Sequence, residues 1–263
     1  MSTFLKVLTI LVICSSCVSN KKIVYLQNLE GNVPILEDEL ITYNQPEYRL
    51  QYNDIIDVNI QTLEDFLENG FNLSMQRRMQ MGAGGVGDIF YLTGYTVDKN
   101  GFIRLPVVGE IHVMDKTLEE TREIIEDKLR AYINTEIFVR VKFGGIRYTT
   151  LGEFRSPGKY MVLQERMTIL EAISNSGDMT PTAKRGEVLL IRQYPEGTKL
   201  HRINLKDRQL MNSPFFFIQP NDQLYAEPMR VREIGAGENA VQSFSLLMTS
   251  VTAVVLLLNL FAR

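Results

Sequence analysis

Two histidines, two cysteines and a few adjacent acid pairs are the residues of this chain with chemistry to offer. His112 and His201 each stand alone in a strand-like segment, with no second ligand at i+4 and no cysteine nearby, so neither has the spacing of a zinc site. Cys14 and Cys17 have C-x-x-C spacing, which serves redox or metal chemistry beside a βαβ pattern or a second ligand pair, and the chain contains no other cysteine. Glu64 with Asp65 and Glu119 with Glu120 are neighbouring carboxylates on polar loop or helix surface, the pattern of a solvated face rather than of an acid and a base flanking a glycosidic bond. Gly82-Ala83-Gly84-Gly85-Val86-Gly87 spells G-x-G-x-x-G. A dinucleotide site needs a strand before that motif and a helix after it, whereas here polar Ser74–Gln80 precedes and strand-like Ile89–Leu92 follows. It is read as a loop inside a Met- and Gly-rich insertion, 64–88. Neither G-x-S-x-G nor a Walker A run occurs, and the chain has no Trp with which to stack sugars broadly. No catalytic residue, metal or cofactor is expected, and the protein is not read as an enzyme.

The elements that surround these residues are more informative. The 263 residues carry 31 acids against 28 bases and are 45% hydrophobic, enough for one or two domains and too acidic for a nucleic-acid partner. The apolar content is concentrated at the ends. Lys6, the short run Val7–Ile13 and the small residues Ser15 and Ser16 before Cys17 make a secretory signal too short to span a bilayer. The junction resembles the lipobox of bacterial lipoproteins, which implies a signal peptide over 1–16, acylation of Cys17, and a lipid-anchored linker over 17–46.

At the other end, 239–262 has no charged residue. A helix of about 24 residues would be about 36 Å long, enough to cross a hydrocarbon core of about 30 Å, so a C-terminal transmembrane helix is expected over 234–263. Gln242, Ser245, Thr249, Thr252 and Asn259 follow a spacing of three or four, with Leu256 the only interruption, and form one polar stripe, opposite Leu247, Val251, Val254, Val255 and Leu258. Copies packed around an axis would turn that stripe to a lumen, which makes those five residues the expected pore lining. A plain membrane anchor with small residues at helix contacts is the alternative.

Between the ends the pattern is α+β. Strand alternation at Ile56, Val58 and Ile60, an Asn100-Gly101 turn between two short strands, and a helix opened by the capping box Thr117-x-x-Glu120 define a unit over 47–145. The buried face of that helix is expected to carry Leu118, Thr121, Ile125, Leu129 and Tyr132. A second unit over 146–230 has strand runs around a short helix opened by Thr168-x-x-Glu171, a β-grasp-like pattern.

The runs YRLQYNDIIDVNI, YTVDKNGFIRLPVVGEIHVMDKTLEE, TTLGEFRSPGKYMV and FIQPNDQLYAEP, in that order, resemble the outer-membrane polysaccharide export lipoproteins. The resemblance runs over roughly 45–230. It implies an export-signature domain followed by one soluble-ligand-binding β-grasp (SLBB) domain. Asp54 stands at that family's G-D, with Asn53 in place of glycine. Asp98, Gly101, Pro106 and Gly109 match its hairpin motif, Gly152, Pro157 and Gly158 its β-grasp opening, and Pro220 and Asp222 its closing P-x-D. Asp115 departs from the pattern, where the family often has glycine. What the resemblance implies is a ring homo-oligomer, an octamer in the resembled family, forming an outer-membrane conduit for capsular or exopolysaccharide. It further implies a body in the periplasm that docks on an inner-membrane polysaccharide co-polymerase or tyrosine autokinase. A lipid-anchored interaction or ligand-binding protein with a simple C-terminal anchor is the competing reading.

Overall fold

A computed structural model describes residues 20–43, 47–64, 93–230 and 240–261. Among them the architecture is mixed α and β, with ten strands, three α-helices and two separate hydrophobic clusters. The signal segment, Cys14 and Cys17, and the glycine-rich run 82–87 lie outside the described residues.

The first cluster is built by β1 (Ile55–Thr62), β2 (Tyr95–Thr96), β3 (Phe102–Leu105), β4 (Gly109–His112), helix α1 (Leu118–Leu129) and β5 (Ile137–Phe143). β1 pairs antiparallel with β5 from Ile56↔Phe143 to Thr62↔Ile137, and β2 flanks its other side. Alternation along β5 buries Ile137 and Val139 and turns Phe138 and Arg140 outward. The α1 capping box is made in both directions: Glu120 N–H donates to Thr117 Oγ1 at 3.1 Å and Thr117 N–H to Glu120 Oε2 at 2.8 Å. Thr121, Ile125 and Leu129 are buried on α1, as the pattern predicts, but Tyr132 is 62% exposed because the helix ends at Leu129 and the following turn swings the ring outward.

The Asn100-Gly101 turn does not join a paired hairpin. Asp98 Oδ1 accepts from the backbone N–H of Asn100 and of Phe102, both at 2.8 Å, which withdraws those donors from a ladder with β2. β3 pairs instead with β4, Phe102↔His112 through Leu105↔Gly109.

The second cluster lies under a five-stranded sheet ordered β7-β6-β10-β8-β9, comprising β6 (Ile146–Gly152), β7 (Gly158–Val162), β8 (Val188–Tyr194), β9 (Gly197–Ile203) and β10 (Asp222–Ala226). The central pair β10 and β6 is parallel and the other neighbours are antiparallel. Helix α2 (Ile169–Asn175), again opened by a two-way capping box at Thr168 and Glu171, buries Ile169, Ala172 and Ile173 against the sheet.

Residues 20–43, expected to be linker, are a strap on this second unit. Leu26 N–H donates to Leu205 O at 3.1 Å and Arg208 N–H to Gln27 O at 2.9 Å, while the Arg208 side chain donates to Leu26 O and Ile35 O. Tyr25 donates its hydroxyl to Asp178 at 2.6 Å and Tyr43 stacks on Phe216 at 5.7 Å. The four apolar anchors Tyr25, Leu26, Ile35 and Tyr43 fall at irregular spacing, so no period betrays the strap in the sequence.

Helix α3 (Ala240–Phe261, 22 residues) is uncharged and follows the predicted C-terminal element. Its run of described side chains, Phe244 to Leu256, is about 20 Å long at ~1.5 Å per residue. Among the described residues no helix is long and apolar enough to cross a membrane, so the expected transmembrane span over 234–263 is not supported. The structure shows instead an exposed helix, with Phe244, Val254 and Leu256 each more than half accessible.

Two motif glycines separate conformational need from mere presence. Gly152 has φ +81°, and a Cβ there would land on the carbonyl oxygen of Ala226, whereas Gly158 has open space around it. Gly152→Ala is expected to destabilise the fold by ~2 kcal/mol or more and Gly158→Ala by no more than ~1 kcal/mol, as urea-unfolding midpoints of the two variants will show.

Candidate functional site

The two units meet where two copies of one local structure come together. Leu50-Gln51-Tyr52-Asn53-Asp54 leads into β1, and Ile218-Gln219-Pro220-Asn221-Asp222 leads into β10. In each, asparagine takes a left-handed backbone, φ 71° at Asn53 and 66° at Asn221, a conformation that asparagine tolerates better than most residues. In each, the aspartate turns back so that Oδ2 accepts the N–H of the glutamine three residues earlier, at 2.8 Å for Gln51 and 2.8 Å for Gln219. The two turns touch: Asn221 Nδ2 approaches Asp54 Oδ1 at 3.4 Å.

Each aspartate is then neutralised differently. Asp222 is fully buried and receives a two-pronged Arg192 guanidinium, Nε to Oδ1 at 3.0 Å and Nη2 to Oδ2 at 2.7 Å, while the same Nη2 donates to Phe217 O at 2.9 Å. Asp54, 2% exposed, has no cation bonded to it; Tyr48 donates its hydroxyl to Oδ2 at 2.8 Å. Burial pushes Asp54 up to about 6 against the opposing pull of the Gln51 N–H and the Tyr48 hydroxyl. Burial likewise raises the Tyr48 phenol, and the Asp54 carboxylate beside it raises it further. The junction is held by a network of neutral donors around one marginally charged acid.

Next to this network, Tyr43 lies edge-on to Phe217 at 5.2 Å, and the Arg166 guanidinium covers the Phe217 ring at 3.7 Å. The strap thus ends on the same aromatic pair, Phe216 and Phe217, whose Phe217 carbonyl accepts from Arg192.

The family-motif residues separate by position. Asp54, Pro220 and Asp222 converge on the junction. Asp98 and Gly101 form the turn before β3; Gly101 has φ +85°, and a Cβ there would strike the Met114 side chain. Pro106 and Gly109 bracket the β3–β4 turn, where Val108 N–H donates to Pro106 O at 2.7 Å. The intervening Val107 is held at φ 68°, a strained region for a β-branched residue, and is 77% exposed. Gly152, Pro157 and Gly158 lie at the β6–β7 turn, away from the junction. Asn53 and Asp115, the departures from the family glycine pattern, both have positive φ, the latter 64°, so the substitutions are the two side chains that best endure that backbone.

Of the expected pore stripe, Ser245, Thr249, Thr252 and Asn259 are exposed on α3, and the side chain of Gln242 lies outside the described residues. Thr249 and Thr252 donate to the carbonyls of Ser245 and Met248, at 2.8 and 2.7 Å. Each hydroxyl proton is spent on the helix itself, and its oxygen is left facing outward. His112 packs edge-on to Phe102 at 5.0 Å, and His201 meets the Tyr194 hydroxyl at 3.0 Å and the Phe215 ring at 4.3 Å. His201 is lowered by burial, then by Arg192 and Lys199. Among the described residues no cluster of three or more His, Cys, Asp or Glu could hold a metal ion. Tyr48, Asn221, Arg192 and Tyr43 were not singled out from the sequence; the repeated Q-x-N-D at 51–54 and 219–222 was the available signal.

A mixed α/β unit with this turn, hairpin and capped helix has a counterpart among known families. Residues 42–142 match the family described as polysaccharide biosynthesis/export protein. Over those residues the chain is similar to that family. A relative is the EPS I polysaccharide export outer membrane protein EpsA of Ralstonia nicotianae (strain ATCC BAA-1114 / GMI1000), 32% identical over 104 residues, which are 38% of this chain. The matched region spans 27% of the length of that relative.

Asp54 gives the junction a pH signature. Its pKa is raised in the folded state above the ordinary 3.8, so the stability it contributes is complete below about pH 4 and is lost as pH rises to about 6 and beyond. The difference in unfolding free energy between the wild type and Asp54→Asn should therefore shift by up to ~3 kcal/mol between pH 4 and pH 7.5, against the wild type at the higher pH. Urea melts of both proteins across that range measure it.

Proposed function

We propose that this chain is a subunit of an oligomeric outer-membrane conduit that exports capsular or exopolysaccharide, and that it performs no catalysis of its own. The observation that carries this reading is the match of residues 42–142 to the polysaccharide export family, a region that coincides with the first folded unit. The name of the Ralstonia relative supports the outer membrane as the location. The second unit adds to it: taking its strands in chain order, the sheet runs 2-1-5-3-4 with the central pair parallel and a helix between its second and third strands, which is β-grasp order and fits an SLBB module.

Helix α3 is the proposed assembly element. It is uncharged, and Phe244, Leu246, Met248, Val254 and Leu256 are all at least half exposed, an apolar surface that a single chain leaves without cover. Side-by-side packing of copies would cover it and line the axis with Gln242, Ser245, Thr249, Thr252 and Asn259. Cys17 is the proposed site of acylation, which would hold the body of the ring on the periplasmic side. An inner-membrane polysaccharide co-polymerase of the tyrosine autokinase type is the proposed docking partner. The work of transport then comes from outside this chain, and the subunit supplies a hydrated path.

Deletion of the chain should abolish surface polysaccharide, and the full-length protein in detergent should run as a ring by electron microscopy. Thr249→Leu with Thr252→Leu should leave the ring intact and reduce export by tenfold or more, read as surface polysaccharide per cell. Unchanged export in that double variant, with normal protein levels, would reject the pore lining.

A further inference from the structure

The five-stranded sheet has one face in the core and one open. Alternation sends Tyr148, Thr150, Leu190 and Leu224 inward, so their neighbours face outward in register. Lys159 on β7 stands opposite Thr149 on β6, Thr149 opposite Gln223 on β10, and Gln223 opposite Ile191 on β8. The next row pairs Met161 with Arg147, and Gln193 with Thr198. Between those two pairs lies Asn221, whose N–H donates to Arg147 O at 2.7 Å. Together these rows floor a groove of about 740 Å³, and Asn53 of the first unit contributes to its wall.

The chemistry of the groove is selective. Among the described residues its lining holds two cations, Arg147 and Lys159, and no carboxylate, although acids outnumber bases in the chain as a whole. Four carboxamides, of Asn53, Asn221, Gln193 and Gln223, supply paired donors and acceptors, and Thr149 and Thr198 add hydroxyls. Amides and hydroxyls match the vicinal hydroxyls of sugar rings, and a guanidinium with an ammonium matches carboxylates or other anions carried by those rings. A nucleic acid would call for a denser basic surface than two cations provide. The row from β7 to β9 crosses four strand spacings, about 19 Å at ~4.8 Å each, room for a stretch of polymer rather than one monosaccharide.

We propose that this open sheet face is a binding groove for an acidic polysaccharide, with Arg147 and Lys159 meeting its anionic groups and the Asn and Gln side chains its hydroxyls. This rests on the export reading and narrows it: the polymer handled is anionic, and it is touched in the periplasmic body as well as along the C-terminal helices. Because Asn53 and Asn221 belong to the two junction turns, a bound polymer would span both folded units.

The test uses the full-length protein in detergent with oligogalacturonate as the acidic probe and a malto-oligosaccharide of equal length as the neutral one. Calorimetric titration should show binding of the acidic probe, weakened by added salt, with the neutral probe at least tenfold weaker. Lys159→Glu with Gln223→Glu, both exposed positions, should weaken the acidic probe tenfold or more without moving the unfolding midpoint. Equal binding of both probes, no binding of the acidic one, or indifference to the charge reversal would overturn the groove. In cells, surface polysaccharide lost on deletion and fully restored by the double variant would overturn the groove while leaving the export reading intact; export that survives the deletion would reject that reading itself.

Discussion

A strand that begins with a buried aspartate must find donors for it close at hand, and this chain meets that demand twice with the same device. The backbone N–H three residues upstream is brought back to the carboxylate by an asparagine in the left-handed region, at Asn53 and again at Asn221. The alternative, an unsatisfied buried carboxylate, would cost several kcal/mol, more than any single contact in either core returns. Once the two turns exist, Asn221 can add a donor to Asp54, and the position of one unit on the other is fixed by the chemistry that starts their strands. The asymmetry between them follows from charge. Asp222 has Arg192 and is a closed pair with no further call on its surroundings, whereas Asp54 has only neutral donors and remains sensitive to what approaches it.

The strap explains why the second unit cannot be treated as a plain appendage of the first. Residues 20–43 are bonded to 178 and 205–209, so the chain passes from the second unit to the first and returns. Contacts of such sequence separation carry a loop-closure cost, though that cost grows only slowly with length, and the aromatic cluster of Tyr43, Phe216 and Phe217 with Arg166 offsets it at the point nearest the junction. An N-terminal acyl anchor attached before this strap would pull on the β-grasp-like sheet rather than on a slack tether.

What the sequence made legible was whatever rests on local rules. Both capping boxes formed as the Thr-x-x-Glu spacing requires, and the inward positions of α1 followed its period until the helix ended. Asn100-Gly101 marked a turn correctly but not its partner strands, because the carboxylate of Asp98 claimed the donors that a hairpin would use. The strap was not legible, since its anchors have no period and its bonds are made to backbone carbonyls that any residue supplies. The junction was half legible: Asp54, Pro220 and Asp222 carried a family resemblance, while Asn221 owes its role to a meeting with Asp54, 167 residues away, and Tyr48 and Arg192 owe theirs to the fold that buries the two aspartates beside them. The membrane-length reading of the C-terminal run came from its length and its missing charges, and among the described residues no helix is both long and apolar enough to bear it out.

That last point joins the two ends of the molecule in one argument. A polymer path needs polar groups that do not hold the polymer tightly. On α3 the Thr249 and Thr252 hydroxyls have already committed their protons to the helix, so in the proposed lumen they would present only acceptor oxygens. On the proposed groove the opposite holds: Arg147 and Lys159 bring a guanidinium and an ammonium, and the carboxamides of Gln193 and Gln223 carry both donors and acceptors. Under the proposed reading, a holding surface in the body and a slippery surface on the terminal helix would build a direction into the affinities of the subunit. In the proposed conduit a polymer would be gathered where charge is concentrated and released where hydrogen-bonding capacity has been spent.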